Sequence, residues 1–330
     1  MGTHLAEALV RRGHQVIGVA RQASRTAPLR SLGVEVVQAA LGDAPTLTRA
    51  MKKTDIVIHA AAKVPAHGFW ADFVQTNIDG TRHVLQAAID TDVPRFLHMS
   101  TVGIYGFPRP DGRPFDESCE FGVVHRWNYY SRSKIEAEKL VRSAQAAGKI
   151  QTTILRPTWV YGPRDAITLD RLVPVLRAGR VKWIGHTENR MSVLYLSDAL
   201  EAIVLAATNS RAAGQIYNIA ADELSPTQRE YFSTISRLLD LPPPQGSISY
   251  PVAYAIGFGC EWMAHATAYR ISPPLSRLAV LVQGGERRFN GDKIRRDLGW
   301  QPKVPFAEGM QQTIAWYKGR AVTTARPETK

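Results

Sequence analysis

The sequence predicts an α/β protein built on a doubly wound parallel sheet, followed by a smaller C-terminal lobe. Three observations carry that expectation. Continuous apolar strands alternate with amphipathic helical stretches over residues 15–155, the mark of βα repetition with strands buried on both faces. Several strands run out into small or hydroxylated residues, Ala60-Ala61-Ala62 after one and Ser100-Thr101 after another. Beyond Gly162-Pro163 the alternation loosens, and an aromatic, apolar stretch over 250–269 stands out.

Residues 2–13 read as an amphipathic helix with Leu5, Ala8 and Leu9 on one face and Gly13 as its stop. Residues 15–20 and 34–39 read as strands, the second leading into Leu41-Gly42-Asp43. A helix over 46–53 precedes the apolar strand 55–62, whose terminal alanines suit either a flat ligand or plain tight packing. A long helix over 72–90 carries Asn77, Gly80 and Thr81, and a strand over 95–100 follows. A Pro- and Gly-rich loop leads to a helix from Tyr130 to about residue 147, then a strand over 152–155 entering Arg156-Pro157-Thr158. Further on, helices are expected over 172–178, 197–208 and 227–239, and strands over 193–196 and 215–219. The stretch 250–269, interrupted by Glu261 and His265, fits two readings. One is a core helix of the second lobe. The other is a lid over an apolar ligand that also touches a membrane surface. The polar residues 321–330 read as a disordered tail. Domain boundaries follow at 1–163 for the sheet domain and 164–320 for the second lobe, with 191–220 returning to the sheet.

A helix that opens at residue 2 and feeds a buried strand is the second half of a βαβ unit. The expectation is therefore that a first strand of roughly five or six residues and most of a Gly-rich turn are encoded upstream of Met1. Gly2 would be the last glycine of that turn, where a missing side chain lets helix and strand pack closely. The chain as written is expected to hold a dinucleotide weakly and to fold less well.

Composition narrows the function classes. The net charge is +12, but Lys and Arg are scattered, with short doublets such as Lys52-Lys53, Arg287-Arg288 and Arg295-Arg296. No aromatic-interleaved basic block suggests a nucleic-acid groove; the charge favours anionic small molecules or membrane headgroups. Cys119 and Cys260 stand far apart, which fits a reducing compartment and a cytoplasmic location. The 9 histidines are dispersed without metal-ligand spacing, so no metal is expected. No stretch approaches the roughly 18 apolar residues of a membrane span.

Of 11 tyrosines, only Tyr130 is followed four residues later by lysine, at Lys134. On a helix that spacing stacks the two on one face. A phenol titrates near about pH 10, and a neighbouring ammonium lowers that by favouring the phenolate. Such a pair can exchange a proton with a carbonyl or alcohol, or it is a chance surface pair. Arg21, after the first strand, has no acidic residue beside it. Dinucleotide folds place an acid there for ribose hydroxyls or a base for a 2′-phosphate, so Arg21 leans towards NADP over NAD; the alternative is a solvated loop arginine.

Together the motifs HAAA at 59–62, NIDGT at 77–81, STVGIYG at 100–106, YYSRSK at 129–134, LRPTWVYGPRD at 155–165 and DLGWQP at 297–302 resemble one family. They are similar, in that order and over nearly the whole chain, to extended short-chain dehydrogenase/reductases of the epimerase/dehydratase and 3β-hydroxysteroid dehydrogenase kind. The resemblance implies a Rossmann-type sheet and an NAD(P)-dependent oxidoreductase. It implies Tyr130 as acid/base, Lys134 on the nicotinamide ribose, Thr101 on the substrate oxygen, and Asn77 supporting the catalytic strand or its water. Asp43 would reach the adenine, Ala60, Ala61 and Ala62 would line the cofactor, and Pro157 and Thr158 would sit near its carboxamide. Sugar-nucleotide epimerases place an arginine seven residues before the aspartate matching Asp198; here that residue is Met191, with Arg190 one place off. The segment 250–277 is closer to the 3β-hydroxysteroid dehydrogenase-like branch, which includes reductases of 2-alkyl-3-ketoalkanoates. An apolar 3-oxo or 3-hydroxy substrate, sterol-like or a long-chain acid, is therefore expected, with a sugar-nucleotide epimerase or dehydratase as the alternative. A homodimer through helices 72–90 and 130–147 is a further implication of the resemblance.

Overall fold

The computed structural model describes residues 1–21, 26–64, 68–109, 111–270 and 273–324. Helix α1 (Gly2–Val10) leads to β1 (Ile17–Ala20), α2 (Ala27–Arg30) to β2 (Glu35–Gln38), and α3 (Ala44–Met51) to β3 (Ile56–His59). Helix α4 (Trp70–Phe73) passes through a π-helical segment, Val74–Asp79, into α5 (Gly80–Asp90), and β4 (Arg95–Met99) follows. Helix α6 (Tyr129–Ala146) precedes β5 (Gln151–Pro157) and the short β6 (Trp159–Tyr161). Next come α7 (Ala166–Arg177), β7 (Trp183–Ile184), β8 (Val193–Tyr195), α8 (Leu196–Thr208) and β9 (Ile216–Ile219). The rest is α9 (Gln228–Leu239), β10 (Ser247–Ile248), α10 (Tyr250–Ala266), α11 (Arg277–Gly284), α12 (Asp292–Leu298) and α13 (Phe306–Thr324).

The main sheet runs β3-β4-β5-β9, all parallel. Its register sets the site: His59 lies opposite His98, Met99 opposite Leu155, and Pro157 opposite Ile219. The residues just past each strand, Ala60–Ala62, Ser100-Thr101 and Thr158, therefore emerge side by side at one edge. Helices cover both faces. One side is packed by α8 and α12, where Leu97, Leu155, Ala202, Tyr217 and Trp300 are fully buried. On the other, α5 and α6 bury Phe96, Ile154, Val141 and Ala88. Each such large apolar side chain contributes on the order of 1.5–3 kcal/mol. Strands β1 and β2 form a separate two-stranded parallel sheet, and among the described residues no strand joins β1 to β3. Ile17 and Val19 of β1 are correspondingly exposed.

Two expectations change. Helix α13 continues through Thr324, so the tail read as disordered from 321 is helical there; residues 325–330 lie outside the described ones. The short helix read over 172–178 begins at Ala166, with Asp165 accepting from Thr168 N and Pro174 inside it.

Helix α10 is neither wholly core nor wholly lid. Ala253, Gly257, Cys260 and Ala264, one turn or two apart, are buried, and Val252, Ile256, Trp262 and Met263 face outward. Gly257 permits the approach: a Cβ would stand 3.1 Å from Arg277 N at the start of α11. Among the described residues no helix is long and apolar enough to cross a membrane.

Candidate active site

Two caps bring the chemistry together. Asn128 accepts from Ser131 N at 3.1 Å and so starts α6 where Tyr130 falls in its first turn. Thr101 caps the 3₁₀ helix Val102–Tyr105, accepting from Gly103 N at 3.1 Å, and its hydroxyl is hydrogen-bonded to the Tyr130 phenol. Gly106 closes that turn at φ 73, and a Cβ would fall 2.2 Å from Val123 O. Only glycine allows the 122–124 backbone to lie there.

Lys134 lies one turn beyond Tyr130 and is 2% exposed. Its ammonium donates to Met99 O at 2.5 Å and lies 3.4 Å from His98 Nε2. Two imidazoles sit below it: His98, fully buried, and His59, 5.7 Å away ring to ring and 3.0 Å from Thr81 Oγ1. Burial, reinforced by the Lys134 charge, pulls His59 down to about 3 and His98 well below the usual histidine range. Both rings are thus neutral, and His98 Nε2 faces the ammonium as an acceptor. That leaves the ring proton on Nδ1, which has no hydrogen-bond partner among the described residues. Burial lowers Lys134 itself to about 8, opposed by Glu138.

The expectation that Lys134 lowers the Tyr130 pKa is corrected here. Burial pushes the phenol up to about 12, and the opposing pull comes from its hydrogen bond to Thr101. With Lys134 directed to Met99 and His98, desolvation of the phenolate wins.

Asn77, 1% exposed, is held in the π-helical segment. It bonds the Lys63 backbone on both sides, accepting from N at 2.7 Å and donating to O at 3.2 Å, and donates to Ser133 Oγ at 2.8 Å. Ser133 in turn donates to Tyr130 O. Asn77 therefore ties the chain after β3 to the first turn of α6, which carries Tyr130.

Sequence reasoning missed a buried network behind the site. Glu138 and Arg156, 0% and 1% exposed, pair at 2.5 Å. Ser100 donates to Glu138 at 2.5 Å, and Arg156 donates to Tyr105 OH at 2.7 Å, which donates to Asn218 Oδ1 at 2.8 Å. The signal was available: Glu138 lies four residues past Lys134, on the same helical face.

The other expected cofactor residues are more dispersed. Ala60 and Ala62 are half-buried and Ala61 is exposed past β3, while Pro157 and Thr158 are buried past β5. Asp43 caps α3, accepting from Thr46 N at 3.2 Å. Arg21 is exposed. The strand-edge group of Ala60–Ala62, Thr101, Tyr130, Lys134, Pro157 and Thr158 fits a nicotinamide riboside. Small residues leave room, and Lys134, a three-donor ammonium, keeps a donor beyond its two contacts. At the start of α1, Gly2 faces open space and His4 lies near Arg164.

An aromatic cluster joins the residues just past the 3₁₀ turn, those just before α6, and α10. Phe107 meets His125 edge-on at 4.5 Å, His125 stacks on Trp127, and Trp127 Nε1 donates to Tyr254 OH of α10 at 3.0 Å. Met191 is buried at 1%, and Arg190 donates to Ser225 O at 2.9 Å.

A model of the NAD dependent epimerase/dehydratase family matches residues 1–220. A 2-alkyl-3-oxoalkanoate reductase of Stenotrophomonas maltophilia is 29% identical over 327 residues, 96% of each chain. A 4-hydroxy-2-methyl-3-oxo-4-farnesyl-3,4-dihydroquinoline-1-oxide ketoreductase of Stigmatella aurantiaca is 28% identical, covering 94% of this chain and 91% of that one. A decarboxylating sterol-4-alpha-carboxylate 3-dehydrogenase of Candida albicans is 29% identical, covering 80% and 77%. Among solved structures, a UDP-glucuronic acid 4-epimerase from Bacillus cereus in complex with NAD superposes with a TM-score of 0.73 at 19% identity, over 97% of this chain and 95% of that one. That likeness concerns the fold.

Proposed function

The chain belongs to the NAD dependent epimerase/dehydratase family, and from that premise we propose an NAD(P)-dependent oxidoreductase acting on an apolar 3-oxo or 3-hydroxy substrate. The observation that supports this best is the Tyr130–Thr101 hydroxyl pair, and the aromatic cluster of Phe107, His125, Trp127 and Tyr254 is in keeping with an apolar substrate. The two hydroxyls hold the substrate oxygen. Tyr130 gives it a proton in reduction and takes one back in oxidation. The nicotinamide, when bound, supplies or accepts the hydride. Lys134, Asn77 and the caps of α6 and the 3₁₀ helix fix the distance over which the proton moves. Arg21 supports a preference for NADP, through the charge it offers a 2′-phosphate.

Sugar-nucleotide chemistry is the second reading, favoured by the likeness of fold to the UDP-glucuronic acid epimerase. Against it, the position where those enzymes carry an arginine is the buried Met191, and Arg190 is engaged by Ser225. A panel assay separates the two. Net oxidation of NADPH with a 2-alkyl-3-oxo substrate, faster than with NADH, is expected. Conversion of a UDP-sugar with no net change in cofactor would overturn the proposal.

The pH profile is a separate test. With its pKa raised to about 12, the Tyr130 phenol stays protonated through neutrality. Reduction uses the protonated form and should stay level from about pH 6 to 8, whereas oxidation uses the deprotonated form and should rise steadily with pH. An oxidation rate that is flat from about pH 7 to 9 would show that another group carries the proton.

A further inference from the structure

Arg287 is a half-buried cation with no carboxylate partner among the described residues. Burial lowers its pKa to about 10, with Tyr250 opposing, so it remains charged at neutral pH. Its one hydrogen bond among the described residues is a long one, from Nη1 to Gly106 O at 3.4 Å. The other arginines of this region are engaged. Arg288, next in the chain, pairs with Glu286 at 2.7 Å, Arg277 with Glu261 at 2.6 Å, and Arg156 with Glu138. The nearby carboxylate of Asp222 is taken by Phe289 N at 2.6 Å and Ser192 Oγ at 2.8 Å.

The backbone on either side is pinned. Ser192 Oγ lies 2.9 Å from Arg287 O, and Phe115 N donates to Arg288 O at 2.8 Å. The side chain lies against the Phe289 ring, 5.9 Å from its centroid. Its one contact, Gly106, ends the same 3₁₀ turn that begins at Thr101. The cation thus stands at one end of a short rigid turn, and the Tyr130–Thr101 pair at the other. A half-buried charge with no carboxylate partner among the described residues adds little to folding stability, and a structural role would be better served by a neutral residue.

We propose that Arg287 receives the carboxylate of the substrate, so that the enzyme acts on an apolar acid rather than on a neutral ketone or alcohol. This rests on the oxidoreductase reading above and names its substrate class. A planar guanidinium accepts one carboxylate through paired N–H donors. A diphosphate is a poorer fit, because the neighbouring Arg288 is held by Glu286.

The test compares a 2-alkyl-3-hydroxyalkanoic acid with its methyl ester, both stable, by following NADP reduction with the full-length chain. The wild-type protein is expected to prefer the acid in kcat/KM. The acid-to-ester ratio is expected to fall by roughly 100-fold in Arg287→Leu and by less in Arg287→Lys, which keeps the charge without the fork. An equal preference for acid and ester in the wild type overturns the anchor even if neither variant folds, and so does a ratio unmoved in a folded variant. In both cases the oxidoreductase reading stands. If the wild type oxidises neither compound but acts on a UDP-sugar, the activity reading itself fails and the anchor with it.

Discussion

Tyr130→Phe is expected to lower turnover by roughly 10²- to 10⁴-fold, the usual worth of a positioned general acid, with the fold retained. The phenol's hydroxyl is the only atom removed. Its partner Thr101 is half-buried and keeps its contact with Gly103 N. The helix cap at Asn128 does not involve Tyr130. Initial rates from NADPH absorbance, alongside a thermal melt, make the measurement. Undiminished activity would remove Tyr130 from the mechanism. Thr101→Ala should reduce the rate less, because it loses orientation of the substrate oxygen and leaves the proton donor in place.

The second large effect is on stability. Glu138→Ala should destabilise the protein by about 3–5 kcal/mol, because it strands the Arg156 guanidinium in the core. Arg156 then retains Tyr105 OH as partner, while Ser100 Oγ loses its acceptor. Removing both charges, as Glu138→Leu with Arg156→Met, should cost less than the two single changes added together. Urea unfolding of the four proteins tests this. An exposed pair on the same helix, Lys139–Glu136 at 2.8 Å, provides the contrast, with an expected contribution of about 0–1 kcal/mol. A loss at Glu138 no larger than that would mean water reaches the network.

Helix α6 shows how far the local pattern reaches. Its start at Asn128 and the Tyr130–Lys134 spacing are legible because capping and i,i+4 geometry depend on neighbours in the chain. Helix α10 shows the limit. Its largely apolar sequence, interrupted by Glu261 and His265, suits both core and lid, and the choice was made residue by residue when Gly257 and Cys260 turned inward and Trp262 and Met263 outward. Asp43 is similar. The residues 42–46 allow a helix cap as readily as a ligand contact, and in the structure the cap is formed.

By itself, the sequence determined the βα alternation, the strand ends that gather at one edge, and the placing of Tyr130 and Lys134 on one helical face. All three follow from periods of two and 3.6 residues and from short-range spacing. The tertiary structure decided the electrostatics. Lys134 lies between Met99 O and His98 instead of governing the phenol, and burial, a property of the whole packed layer, holds Tyr130 near 12 and both histidines neutral. It also decided which arginines have partners. Arg287 and Arg288 are indistinguishable as neighbours in sequence, and only the fold leaves one exposed with Glu286 and encloses the other beside Gly106. Desolvation and pairing depend on contacts between residues far apart in the chain, which no local pattern encodes.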